Sequence, residues 1–189
     1  MNRYHRRLCG SDRWAAHMES NVLPRVLGQV ELGDDVLEIG PGYGAATKVL
    51  AGAVPRLTAL EIDGRLADRL RTRLAEQLGN GLSVVNGDGT DMPFDAGRFS
   101  AVACFTMLHH VPSRDAQARM FAECARVLRP GGVFAGRDLT DDVRSRLIHI
   151  GDTYVPVAVA DLADRFEAAG FRSVDVSDLG GAVSFTAYR

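Results

Sequence analysis

Apolar side chains recur along this chain with two alternating periods. Short apolar runs at 36–39, 57–62, 82–85, 99–105 and 133–135 have the length and residue types of buried strands. Between them, apolar positions return every three or four residues, the period of an amphipathic helix. Leu66, Leu70, Leu74 and Leu78 form one such stripe, with arginines elsewhere on its surface. Ala116, Met120, Cys124, Val127 and Leu128 form another, capped by Ser113 and stopped by Pro130-Gly131-Gly132. Residues 45–50 and 161–169 predict further helices, and residues 12–30 lead in with Trp14, Met18, Val22, Val26 and Val30 at near-helical spacing. Residues 171–176 and 182–188 close the chain as two strands with no helix between them. Strands alternating with helices predict a doubly wound α/β sheet covered on both faces. The closing pair adds one antiparallel strand near the C-terminus to a sheet that is otherwise parallel.

In such sheets ligands sit beyond the carboxyl ends of the strands, and the unusual residues of this chain fall there. The first strand carries Glu38 and runs into Gly40-Pro41-Gly42-Tyr43-Gly44. Glycine lets the backbone turn sharply and approach a ligand with no Cβ in the way. The helix that follows turns its free N–H groups toward the same spot. This is the plan of a nucleotide-type cofactor site. The second strand ends at Glu61 and Asp63, the third at Gly87-Asp88-Gly89, and Asp63 is read as the cap of the next helix.

Two cofactors suit that loop. Gly40-x-Gly42-x-x-Ala45 satisfies a dinucleotide fingerprint, and Glu61 stands near the expected spacing of about 20 residues. An NAD-dependent oxidoreductase is therefore an alternative. Against it, the length of 189 residues leaves little room for a substrate domain. Glu38 would also put a carboxylate near a pyrophosphate, an unfavourable like-charge contact. A ligand bearing an ammonium or sulfonium suits Glu38 better, and Asp88 can accept from an exocyclic amine.

Composition narrows the field modestly. An apolar content of 46% can fill a core and predicts one domain over residues 1–189. The net charge of −2 gives no basic field for nucleic acid. Lys48 is the only lysine among the cationic residues, read as genomic bias. Cys9, Cys104 and Cys124 have neither disulfide nor zinc spacing, which fits a reducing, cytoplasmic setting. No signal peptide or membrane-spanning run is read.

Four segments then fall in order. They are 36–44 (Val-Leu-Glu-Ile-Gly-Pro-Gly-Tyr-Gly), 60–63 (Leu-Glu-Ile-Asp), 87–94 (Gly-Asp-Gly-Thr-Asp-Met-Pro-Phe) and 128–132 (Leu-Arg-Pro-Gly-Gly). With them the chain resembles the class I S-adenosylmethionine-dependent methyltransferases, in particular the small bacterial type 11 group, from about Asp34 to Gly132. The resemblance implies a Rossmann-like seven-stranded sheet and S-adenosylmethionine as cofactor, released as S-adenosylhomocysteine. It implies that Glu38 faces the methionine end, with Gly40, Gly42 and Gly44 packing against the cofactor. Glu61 would take the ribose hydroxyls, Asp88 the adenine amine and the Gly89 N–H a ring nitrogen. Ile62 and Met92 would cover the adenine, while Phe105 and Thr106 would lie near the sulfonium. Residues 1–33 become an N-terminal helical segment and candidate lid, with Arg3 to Arg7 closing over the cofactor or standing as a solvated end. Residues 34–136 become the cofactor-binding core, and 137–189 the acceptor-side segment and closing strands.

The acceptor is less legible. Candidate bases are His109, His110, His149, Asp138 and Asp152, with His149 the preferred one. Residues 137–156, with Tyr154 shaping the apolar side, are expected to wall the acceptor pocket. The signature of exocyclic-amine methylation is absent, Cys104-Phe105-Thr106-Met107 standing in its place, so a small-molecule acceptor is expected. No metal is expected, because the histidines lack ligand spacing along the chain. An oligomer is neither required nor excluded. A cofactor-binding protein without transfer activity remains the second alternative.

Overall fold

Seven strands form a single sheet in the computed structural model, which describes residues 2–28, 30–78 and 81–189. The side chains of Arg3, in the expected lid, and Leu78, in the expected stripe, lie outside the described residues. The strands are β1 (Asp35–Ile39), β2 (Arg56–Glu61), β3 (Leu82–Asn86), β4 (Phe99–Phe105), β5 (Leu128–Leu139), β6 (Ser173–Asp178) and β7 (Ala182–Tyr188). Their order is β3-β2-β1-β4-β5-β7-β6. Neighbours pair in parallel except β7, which runs antiparallel to both β5 and β6. The expected Rossmann-like sheet with one reversed strand is thus found.

The order reverses between β1 and β4, the point at which a crevice opens beyond the strand ends. One face of the sheet is covered by α6 (Arg114–Val127) and α8 (Leu162–Ala168). There Phe121, Phe134, Phe166, Phe171 and Phe185 pack edge to face or tilted, with Phe134 and Phe171 stacked, at centroid distances of 4.7–6.2 Å. The other face holds Met18, Leu23, Val26 and Leu50 from the N-terminal segment and α4 (Ala45–Ala53). The N-terminal segment comprises α1 (Arg3–Cys9), α2 (Asp12–His17), a π-helical turn (Met18–Val22) and α3 (Leu23–Leu27). Among the described residues two α-helices remain, α5 (Gly64–Leu78), capped by Asp63 as expected, and α7 (Val143–Ile148), with short 3-10 turns at Leu108–His110 and Val159–Asp161.

α1 falls inside the expected N-terminal helical segment, Asn2 Oδ1 accepting from the His5 N–H and capping it. Two differences from the sequence reading have local causes. β5 runs well past the expected 133–135, because it pairs with β7 as far as Leu139 and buries the polar side chain of Asp138. β6 starts two residues later than expected. Phe171, counted toward it, instead follows α8, its N–H bonded to the Phe166 carbonyl and its ring in the core.

Candidate functional site

A cavity of about 510 Å³ opens at the reversal between β1 and β4. Its first wall is the set of strand ends. The Gly40 N–H bonds to the Leu60 carbonyl at 2.9 Å, and the Gly44 N–H closes a turn on Pro41. Gly40 has φ +64°, and a Cβ there would lie 2.2 Å from Met107 Cγ, so no other residue fits without moving β4's exit. Gly42 has φ +55° with open space where a Cβ would stand. The loop is folded as a cradle with its concave side free.

Two carboxylates flank it. Glu61 is buried, one oxygen accepting from the Gly42 N–H and the other from the Asp63 N–H, both at 2.9 Å. Each oxygen keeps acceptor capacity for one more donor. Glu38 is buried too, and its Oε2 has no partner. Burial pushes its carboxyl up to about 8; the Thr47 hydroxyl opposes this and the charge of Glu61 adds to it. A buried acid of this kind, beside a cavity and unpartnered, is shaped for a cationic ligand.

Asp88 is exposed at the rim, and its Oδ1 accepts from both the N–H and the hydroxyl of Thr90. Ile62 stands 69% exposed yet borders the cavity, an apolar residue set out for a ligand face. Thr106, leaving β4, has φ +51°, alone among described non-glycine residues in that region. Its N–H is bonded to the Arg137 carbonyl at 2.8 Å. Strain of this sort costs about 1–3 kcal/mol and collects where ligands bind.

Glu38, Gly40, Gly42, Glu61, Ile62, Asp88, Gly89, Phe105 and Thr106 all line this one cavity. Gly44 does not; it starts α4 at φ +84°, packed so that a Cβ would meet Leu70. Met92 is buried in the core and borders no part of it.

The opposite wall comes from the N-terminal segment, through His5, Cys9, Trp14 and Met18, with His110 and Arg119. Residues 137–156, the expected wall, contribute Thr153 alone. Tyr154 donates its hydroxyl to the Thr140 carbonyl and stacks on His149 at 4.5 Å, behind the lining. Asp138 does not line the cavity. It is fully buried and accepts from the backbone N–H groups of Met107, Leu108 and Leu139 at 2.7–2.8 Å, with His109 Nδ1 at 2.6 Å. Burial disfavours its charge, but His109 and those N–H groups outweigh that and hold it below the ordinary carboxylate value. It ties the β5 end to the turn at 108–110.

His109 and His149 are buried, and of the three candidate catalytic histidines only His110 lines the cavity. The His149 Nδ1 lies 2.6 Å from the Ser145 carbonyl. Burial, then the charges of His109 and His5, push His110 down to about 3. His5 sits against them, its ring 4.4 Å from His149 and 5.0 Å from His110. The histidines lack ligand spacing along the chain, yet in space His5, His109, His110 and His149 converge. Nothing in the local sequence marks His5, whose partner Asp152 is 147 residues away.

Among the described residues no helix is long and apolar enough to cross a membrane. Residues 37–136 match the methyltransferase-domain family of type 11. The chain is 37% identical over 93 residues to a protein-L-isoaspartate O-methyltransferase of Nitrobacter winogradskyi, covering 48% of this chain and 43% of that one. It is 29% identical over 157 residues to the O-methyltransferase cnsE of Penicillium expansum, covering 78% and 55%. It therefore spans about half the length of these relatives. The crystal structure of a SAM-dependent methyltransferase from Aquifex aeolicus superposes with a TM-score of 0.78 at 16% identity, covering 100% of this chain and 98% of that one, a likeness of fold. With more than half of the chain matching that family and three of the four segments bordering one cavity, the chain belongs to the class I S-adenosylmethionine-dependent methyltransferases.

Proposed function

We propose that this protein transfers the methyl group of S-adenosylmethionine to a small-molecule acceptor held between the strand ends and the N-terminal helices. The observation that carries the reading is Glu38, a buried carboxylate with an unpartnered oxygen beside the glycine cradle. It fits the cationic methionine end of this cofactor and conflicts with a dinucleotide pyrophosphate. The cofactor supplies a methyl group already activated on a sulfonium. Glu61 accepts the ribose hydroxyls while its other lone pairs hold Gly42 and Asp63. Asp88 accepts from the adenine amine at the open rim, the Gly89 N–H donates to the ring, and Ile62 covers its face. Phe105 and Thr106 stand where the methyl group is presented.

The acceptor lies against Trp14, Met18 and the ring edge of His110, with the exposed Arg119 at the mouth. His109 and His149 act behind His110 as positioning residues. In-line transfer needs the acceptor placed and desolvated before it needs a base. A cavity of about 510 Å³ falls within the roughly 300–1,000 Å³ of small-molecule sites, so cofactor and acceptor together are small. Among the relatives named above, the Nitrobacter one is named for a protein substrate. A cytoplasmic setting fits the free Cys9, Cys104 and Cys124.

The test is a labelled-methyl screen of small-molecule, protein and RNA fractions. Label in the small-molecule fraction is expected. Label confined to protein or RNA contradicts the acceptor class, and tight cofactor binding with no label anywhere returns the reading to a cofactor-binding protein.

A further inference from the structure

The four histidines present a pattern that stacking alone does not account for. They arrive from three separated stretches: His5 from α1, His109 and His110 from the turn after β4, and His149 from the end of α7. One ring nitrogen of each lies within 4.8 Å of those of the other three. Each Nδ1 has an oxygen beside it. His5 faces Asp152 Oδ2 at 3.2 Å, His109 faces Asp138 Oδ1 at 2.6 Å, His110 the Thr153 carbonyl at 3.2 Å and His149 the Ser145 carbonyl at 2.6 Å. A carbonyl oxygen can only accept, so Nδ1 of His110 and His149 carries the proton, and the two carboxylates impose the same tautomer on His5 and His109. In all four neutral rings the free lone pair is therefore on Nε2. The Nε2 atoms of His109 and His149 are buried without any partner, an arrangement native proteins avoid unless a ligand satisfies it.

We propose that these four histidines form a binding site for a divalent transition-metal ion, zinc in the first instance, which fastens the N-terminal helix across the cavity. Oxygen-backed imidazoles are the standard outer shell of metal-ligating histidine, fixing the tautomer and raising the basicity of the ligating nitrogen. Four neutral nitrogens without carboxylate or water ligands suit zinc, copper, nickel or cobalt and exclude magnesium and calcium. Zinc–nitrogen bonds of about 2.0–2.1 Å in a tetrahedron place the nitrogens about 3.3 Å apart, so the four rings must draw together on binding. A closed site of four protein ligands is structural rather than catalytic. Its effect follows from where the ligands sit. His5 and His110 line the cavity, and Asn2 already donates from its side chain to the carbonyls of Ile148 and Ile150, so the ion locks α1 against the same segment. A neutral, metal-free packing of imidazoles against Tyr154 is the competing account.

The experiment uses untagged full-length protein stripped with chelator and then titrated with Zn²⁺ against a chromophoric competitor, and separately with Co²⁺. One equivalent of zinc, a rise in melting temperature on adding it, and the intense visible bands of tetrahedral cobalt are expected. His5→Ala and His149→Ala should each weaken binding by about 100-fold or more, since loss of an outer partner alone costs about 10–100-fold. His17→Ala, the remaining histidine, should leave it unchanged. The cobalt spectrum needs no variant and is independent of whether one folds. Octahedral cobalt bands in the wild-type protein, or zinc binding equal in wild type and His5→Ala, would overturn the proposal.

Discussion

The two walls of the cavity use one device in two ways. On the strand-end wall, Glu61 spends part of its hydrogen-bonding capacity on the backbone N–H groups of Gly42 and Asp63 and keeps the rest for a ligand. On the histidine wall, each imidazole spends Nδ1 on an oxygen acceptor and keeps Nε2. The difference lies in sequence distance. Glu61 and Gly42 are 19 residues apart, whereas His5 and Asp152 are separated by 147. The first wall is built by short turns at the ends of β1 to β4, strands that neighbour one another in the sheet. The second exists only after α1, the β4 turn and α7 have come together. A wall made of adjacent turns tolerates little change in its loops, while one made of distant pieces depends on whatever holds those pieces in place.

Asp138 holds the turn that carries His109 and His110 to the end of β5, so removing it should produce the largest effect. Asp138→Ala leaves buried N–H groups and His109 without their acceptor, and stability should fall by about 3–5 kcal/mol. A urea midpoint shifted to match, with the slope unchanged, would support this; a loss under about 1 kcal/mol would mean that the histidine wall is held some other way. On the strand-end wall, Gly40→Ala forces a positive φ and a clash with Met107. It should cost about 1–3 kcal/mol and weaken cofactor binding, and a variant as stable as wild type would show that the β4 exit is soft.

The subtlest effect is a proton. Glu38, raised to about 8 by burial, is mostly protonated in the free protein at pH 7. A cationic ligand favours the carboxylate, so binding releases a proton, and affinity rises with pH until about 8. Calorimetry at pH 7 in buffers of different ionisation enthalpy should show a release approaching one proton, lost in Glu38→Gln. A buffer-independent enthalpy would remove Glu38 from the cofactor's cationic end.

The same contrast explains what could be read from the chain. The strand-end wall was legible because glycines and acids at strand ends follow one another within short stretches: Gly40, Gly42, Glu61, Ile62, Asp88 and Gly89 each stand at the cavity. The alternation of strands and helices followed from the two periods, and the seven-stranded sheet from the family resemblance. The burial of Asp138 was not legible, because a buried acid inside a strand end is indistinguishable, in sequence, from one in a polar loop. His5 carried no local signal at all, and Trp14 and Met18 read simply as a buried stripe. Residues 137–156 looked like a wall because they mix polar and apolar groups, yet most of that polarity is spent internally, on α7's cap by Asp142 and on the Tyr154–Thr140 bond.

The division between the two walls is tested most directly by titrating S-adenosylhomocysteine into wild type, Glu61→Ala and His110→Ala by calorimetry. Wild type should bind one equivalent. Glu61→Ala should lose about 2–4 kcal/mol of binding free energy through unpaired donors, roughly 30- to 1,000-fold in affinity, while His110→Ala stays within about twofold. Equal losses in both variants, or no change in Glu61→Ala, would contradict the assignment of the cofactor to the strand ends and the acceptor to the histidine wall.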